Sequence, residues 1–161
     1  MNQHVKTSAH FLTLKIPPVA LVAIFAVAMI LSAKLAGGAV EITLYRQVGI
    51  VVTLMFAAYF ALAGVLAFKK AKTTVNPMKP DESSELVNHG VYRISRNPMY
   101  VGFVFILISL ATYLGHTFLS LFIFGFIAYM NVFQIKPEER ALEEILGQAY
   151  LDYLKQVRRW L

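Results

Sequence analysis

The apolar residues of this chain are gathered into runs close to twenty residues long, the first being IPPVALVAIFAVAMILSAKL at 16–35. A run of ~20 apolar residues spans the ~30 Å hydrocarbon layer of a bilayer as a helix. Hydropathy and length predict about four such spans: Ile16 to Leu35, Tyr45 to Phe68, Pro98 to Leu114 and Thr117 to Ile135. They are too many and too long for a secretory signal peptide. Composition agrees, since 58% of residues are hydrophobic and 15% charged, against about 45–50% and about 25% in soluble domains. The expected fold is an all-α integral membrane protein, residues 1–161 forming one membrane domain. Only Gly115 and His116 separate the third and fourth spans, so these two should form a tight antiparallel hairpin.

The basic residues give an orientation. Lys69, Lys70, Lys72, Lys79, Arg93 and Arg96 lie in the one long polar connection, 69–97, and Lys136, Arg140, Lys155, Arg158 and Arg159 follow the last span. Lys6 and Lys15 precede the first span, and the opposite side has little beyond Lys34 and Arg46. Cytoplasmic loops carry the Lys/Arg excess. Both termini, the long connection and any active site among them are therefore expected on the cytoplasmic side. The net charge of +6 then serves topology and contact with anionic membrane lipids; no soluble basic domain is present to hold nucleic acid. Absence of cysteine excludes disulfides, thiolate metal sites and cysteine nucleophiles. His4, His10, His89 and His116 have no metal-ligand spacing, so no metal is expected.

From Pro137 the pattern becomes two-faced. Ala141, Leu142, Ile145, Leu146, Ala149, Tyr150, Tyr153, Leu154 and Val157 recur at three- and four-residue spacing, with Glu139, Glu143, Gln148, Asp152 and Lys155 largely between them. This predicts a C-terminal amphipathic cytoplasmic helix. Gly147 in its middle costs about 1 kcal/mol relative to alanine, which suits a break there.

Two polar clusters stand at the span ends. The first is HGVYRISRNPMYVG, 89–102. Pro98 suits the first turn of a helix, where a missing N–H costs nothing, and Asn97 is a good side-chain cap. A helix end of this kind attracts anions, with Arg93 and Arg96 beside it and the aromatic faces of Tyr92 and Tyr100 nearby. The second is Lys136, Pro137, Glu138, Glu139 and Arg140, where acidic residues in a first helical turn complement the helix dipole. The short hairpin returns the chain to the same face, so both clusters should contribute to one site.

At these residues the sequence resembles the isoprenylcysteine carboxyl methyltransferase family and its phospholipid N-methyltransferase relatives. The resemblance rests on SELVNHGVYRISRNPMYVG (84–102) and PEERALEEILGQAYLDYLKQVRRW (137–160), and covers about Thr73 to Trp160. Hydropathy alone gives two N-terminal spans over 1–72, and the resemblance implies a methyltransferase-like catalytic region over 73–161. It also implies S-adenosyl-L-methionine as cofactor, in a pocket on the cytoplasmic side. Leu86, Val87, Tyr92, Asn97, Pro98, Met99 and Tyr100 fall where the family lines its cofactor pocket, with His89 and Gly90 in the same motif, and Glu138 supplies a cofactor-binding carboxylate. Arg96, Glu139 and Arg159, three of the charged residues of these motifs, are the catalytic candidates.

The implied reaction is direct in-line methyl transfer to a lipophilic or lipidated acceptor entering from the bilayer. Gln134 stands where the carboxyl methyltransferases place an arginine suited to an acceptor carboxylate, and the closing Val-Pro-Arg becomes Val157, Arg158, Arg159. The acceptor is thus open among isoprenoid thiols, carboxylates and lipid amines. A nicotinamide-dependent lipid or sterol reductase, which shares a similar Arg-x-Pro-x-Tyr motif, and a non-catalytic membrane subunit are the alternatives.

Overall fold

In a computed structural model of the chain, residues 14–37, 41–71 and 86–161 are described. They form helices α1 (Pro18–Ala36), α2 (Leu44–Ala71), α3 (Pro98–Leu114), α4 (Ser120–Tyr129), α5 (Lys136–Leu146) and α6 (Gln148–Gln156). Short 3₁₀ turns at Gly90–Arg93 and Thr117–Leu119 precede α3 and α4, and a π-helical segment, Met130–Ile135, joins α4 to α5. Among the described residues there is no strand. The all-α expectation therefore holds, as do the four apolar helices, with boundaries moved by a few residues.

Three helical stretches are long and apolar enough to cross a membrane: Pro18–Ala36, Leu44–Lys70 and Thr117–Leu146. α3, at 17 residues, is at the short limit, about 25 Å long at 1.5 Å per residue. The 28 residues of α2 make a rod of about 42 Å, longer than the hydrocarbon layer. The chain is a multi-pass membrane protein.

α3 is the hub, packed against α1, α2 and α4, most extensively against α2. Lipid tails are as apolar as leucine, so helices in a bilayer associate by close packing, which small residues permit. Gly102 of α3 lies on the backbone of α2, where a Cβ would come within 3.0 Å of the Ala57 carbonyl oxygen and 3.2 Å of the Ala61 nitrogen. On the other face, Leu107 of α3 joins Met29, Leu119 and Phe126 in one fully buried cluster.

The ends of α3 explain its length. Pro98 starts it, and Gly115, left-handed at φ 81°, ends it by donating its N–H to the Ala111 carbonyl. Beyond that end sits Arg46, which the charge count placed among the few basic residues of the far side. It is buried, and its guanidinium donates to the carbonyls of Thr112 and Tyr113 and, at 2.6 Å, of Glu41. A cation here satisfies the unpaired carbonyls of a helix C-terminus.

The capping expectation for Asn97 does not hold. Its side chain makes no cap hydrogen bond to α3 and instead donates from Nδ2 to the Arg159 carbonyl at 2.9 Å. Ser95 steadies the turn before the helix, its Oγ accepting from the Asn97 N–H at 3.1 Å. The dipole explanation for Glu138 and Glu139 loses its basis too. α5 continues from the π segment with helical backbone through Ile135 and Lys136, so no fresh helix start stands there to be complemented.

Candidate functional site

The two polar clusters meet. The π segment widens the helical register by one residue, a local change that often marks functional positions. Gln134, 2% exposed, stands four residues before Glu138 and so on the same side of the helix. Gln134 Nε2 donates to Glu138 Oε1 at 2.9 Å, and the Tyr100 hydroxyl donates to the same oxygen at 2.7 Å. A buried carboxylate is tolerable only when hydrogen-bonded, and here α3 and the π segment each supply a neutral donor. Neither bond uses Oε2.

Glu139 faces the other way, between two arginines. Arg159 grips it with Nε at 3.1 Å and Nη2 at 2.6 Å, while Arg96 reaches Oε1 through Nη2 at 3.0 Å. The Glu139 side chain is 14% exposed and that of Arg96 12%. Arg96 also donates to the Leu154 carbonyl at 3.3 Å, and its buried Nε has no hydrogen-bond partner among the described residues. Hydrogen bonding to Glu139 holds Arg159 above its ordinary pKa.

The C-terminal residues bind across this cluster. The Arg158 carbonyl accepts from the Arg96 N–H at 2.9 Å, and that of Arg159 accepts from Asn97 and, at 3.3 Å, from the Ser95 hydroxyl. Trp160 donates from Nε1 to Asn131 Oδ1 at 3.1 Å and packs against the cluster around Leu107 and against a second one formed by Phe60, Val87, Val91, Tyr92 and Val101. This tail ties the turn before α3 to the π segment.

Between these elements lies a cavity of about 80 Å³, lined by Phe68, Leu86, Val87, Tyr92, Arg96, Asn97, Glu138, Glu139, Leu142, Leu146, Tyr150 and Tyr153. Its roof is α5 and α6. Gly147 between them takes φ 56° and ψ −131°, a region glycine enters freely, so the break expected there is present. The Tyr153 hydroxyl donates to the Tyr92 carbonyl at 2.7 Å and holds α6 to the turn before α3. Burial is the main reason the phenols of Tyr92, Tyr150 and Tyr153 lie well above the ordinary value of 10.0; Glu139 adds to the effect at Tyr150 and Tyr153 at Tyr92. The three residues line the cavity with their phenols neutral.

A second, open groove of about 640 Å³ adjoins it. Leu86 and Tyr153 line both, and His89, Arg93, Asp152 and Gln156 line the groove alone.

Of the residues singled out in the sequence, Leu86, Val87, Tyr92, Arg96, Asn97, Glu138 and Glu139 line the cavity, Tyr100 reaches it through Glu138, and Arg159 through Glu139. His89 faces the groove. Pro98 and Met99 lie against Gly64 of α2, and Gly90, with φ 59°, opens the 3₁₀ turn; none of these three lines the cavity. Tyr150 and Tyr153 were read from the sequence as the apolar face of an amphipathic helix and as the Gly-x-x-Tyr-x-x-Tyr element of the resemblance, without a place in the site. Their spacing of three residues beyond Gly147 was the available signal. Among the described residues, no three His, Asp or Glu side chains gather as metal ligands would.

Fold and site together define a multi-pass helical membrane protein whose span ends enclose a cavity rich in charge and phenol. Comparison with known families matches residues 45–149 to phospholipid methyltransferase. The chain belongs to the phospholipid methyltransferase family. A protein of Haemophilus influenzae described as uncharacterized is 40% identical over 63 residues, 39% of this chain and the whole of that protein. No solved structure matches the chain.

Proposed function

We propose that this chain transfers a methyl group from S-adenosyl-L-methionine to a lipid-like acceptor held in the bilayer. The observation that carries the reading is the convergence of Glu138, Arg96 and three neutral phenols on one cavity at the ends of membrane spans, within a family of phospholipid methyltransferases. The donor set suits the cofactor: a carboxylate for an ammonium, a guanidinium for a carboxylate, aromatic faces for a cation or a flat base. Ligand sites usually measure about 300–1,000 Å³. The inner cavity is smaller, so the space must include the adjoining groove, with Leu86 and Tyr153 as the shared wall.

When bound, the cofactor supplies an electrophilic methyl group on a sulfonium sulfur. Glu138, steadied by Tyr100 and Gln134, and Arg96 fix one end of the ligand. Leu142, Leu146 and the tyrosines exclude water, so that catalysis comes from positioning, which is worth several kcal/mol. We read the site as cytoplasmic from the basic residues around it, with the acceptor entering sideways from the membrane. Gln134 donates to a carboxylate in place of an arginine's charge, which favours a lipid amine or thiol over a carboxylate acceptor.

The test is calorimetric binding of S-adenosylmethionine to detergent-purified protein, followed by a labelled-methyl screen over lipid amines, prenylated thiols and lipid carboxylates. Glu138→Ala and Tyr100→Ala should abolish binding while insertion persists. Unchanged affinity in both, or binding of a nicotinamide dinucleotide in place of S-adenosylmethionine, refutes the reading.

A further inference from the structure

Arg96 and Arg159 both face Glu139, yet their surroundings differ. Arg159 presents two nitrogens to the two oxygens of Glu139, at 3.1 and 2.6 Å, the bidentate arrangement in which a guanidinium and a carboxylate satisfy each other. Its side chain is 31% exposed, so water solvates the rest of it. Arg96 gives Glu139 a single nitrogen, is 12% exposed, and keeps a buried Nε without a partner among the described residues. Arg96 lines the cavity; Arg159 does not. Two guanidiniums thus share one carboxylate, and the less satisfied of the two is the one beside the cavity. A buried cation short of an anion is costly, and a ligand that brings a carboxylate removes the deficit.

We propose that Arg96, and not Arg159, receives the carboxylate at the amino-acid end of the cofactor, while Arg159 serves to hold Glu139. This rests on the methyltransferase reading above and goes beyond it by assigning different tasks to the two arginines. Glu138 lines the same cavity, on neutral donors alone, so the ligand's ammonium and carboxylate meet opposite charges without competing for one side chain.

The probes are S-adenosylmethionine and its decarboxylated analogue, which lacks only the carboxylate, titrated into the full-length purified protein. A charge-assisted contact of this kind gives the wild type a preference for the carboxylate-bearing ligand of roughly 10- to 100-fold. Arg96→Met should bring the ratio close to one, Arg96→Lys should leave an intermediate ratio, and Arg159→Met should lower both affinities together with the ratio kept. Unfolding of each variant, followed by Trp160 fluorescence, shows whether it is folded; should Arg96→Met fail that check, Arg96→Lys carries the test. The proposal is overturned if the folded Arg96 variants keep the wild-type ratio, if Arg159→Met is the variant that erases it, or if the wild type binds both ligands equally. Wild-type protein that binds neither ligand removes the methyltransferase reading itself, and this assignment with it.

Discussion

Replacing Glu139 by glutamine tests whether the charged cluster is a buried unit or a decorated surface. The substitution keeps size and shape, but leaves Arg96 and Arg159, with side chains 12% and 31% exposed, facing a neutral amide whose NH₂ repels them. Removing one partner of a buried ion pair costs about 3–5 kcal/mol. Because Arg159 is partly solvated, the lower figure, about 3 kcal/mol, is expected. For a chain of this size each kcal/mol moves the unfolding midpoint by about 2–4 °C, so Glu139→Gln should lower it by about 6–12 °C. The reporter is built in: Trp160 is the single tryptophan, and it lies on the tail that crosses the cluster. Adding Arg159→Met to Glu139→Gln removes the excess cation, so the double variant should be more stable than the sum of the two single changes by about 0.5–3 kcal/mol. A Glu139→Gln midpoint within about 2 °C of wild type, the range of ordinary surface substitutions, would show that the cluster is solvated and refute the reasoning.

Other substitutions probe the helix packing and the roof. Gly102→Ala places a methyl 3.0 Å from the Ala57 carbonyl oxygen, whereas at Gly49 it would meet only Thr112 Cγ2 at 3.9 Å. Both gain the same helix propensity, so the thermal stabilities of the two variants should differ by the overpacking cost, about 1–3 kcal/mol, with Gly102→Ala the less stable. Tyr153→Phe removes a buried hydrogen bond and strands the Tyr92 carbonyl, at about 1–3 kcal/mol; amide exchange should quicken in α6 and in residues 90–93, but not in α3. Burial raises the folded pKa of Tyr150 above its ordinary 10.0. Its stabilising share is therefore complete below pH ~10 and is lost above it, at about 1.4 kcal/mol per pH unit, as the unfolded phenol ionises first. Tyr150→Phe should flatten the alkaline fall in stability by that slope, as measured by unfolding midpoints from pH 9 to 12.

Much of this architecture was legible in the sequence because membrane helices declare themselves by length and apolarity, and because Pro98, Gly115 and Gly147 mark starts and stops by local stereochemistry alone. The juxtaposition of the Arg96 and Glu139 clusters followed from the two-residue hairpin, which leaves the fourth span nowhere else to return. What was not legible depends on distant partners. Asn97 has the right chemistry for a cap, yet the Arg159 carbonyl 62 residues away claims its amide, and α3 is left without a side-chain cap. Arg46 reads as a loop charge until the end of α3 arrives beside it. The π segment has no composition signal, although Gln134 and Asn131 within it bond Glu138 and Trp160.

Stability alone does not account for the polar cluster at the end of the fourth span. Apolar side chains of similar volume in place of a buried ion pair are often neutral or stabilising by about 1–4 kcal/mol, and the surrounding Leu142, Leu146 and Val87 would accommodate them. Nor does helix capping account for it, because the helix runs through Ile135 and Lys136 without a new start. Anchoring at the membrane surface needs exposed charge, whereas Arg96 and Glu139 are largely withdrawn from solvent. The arrangement fits the proposed ligand: Arg159 and the tail hold Glu139 and the Asn97 turn in place, while Arg96 and Glu138 both line the cavity.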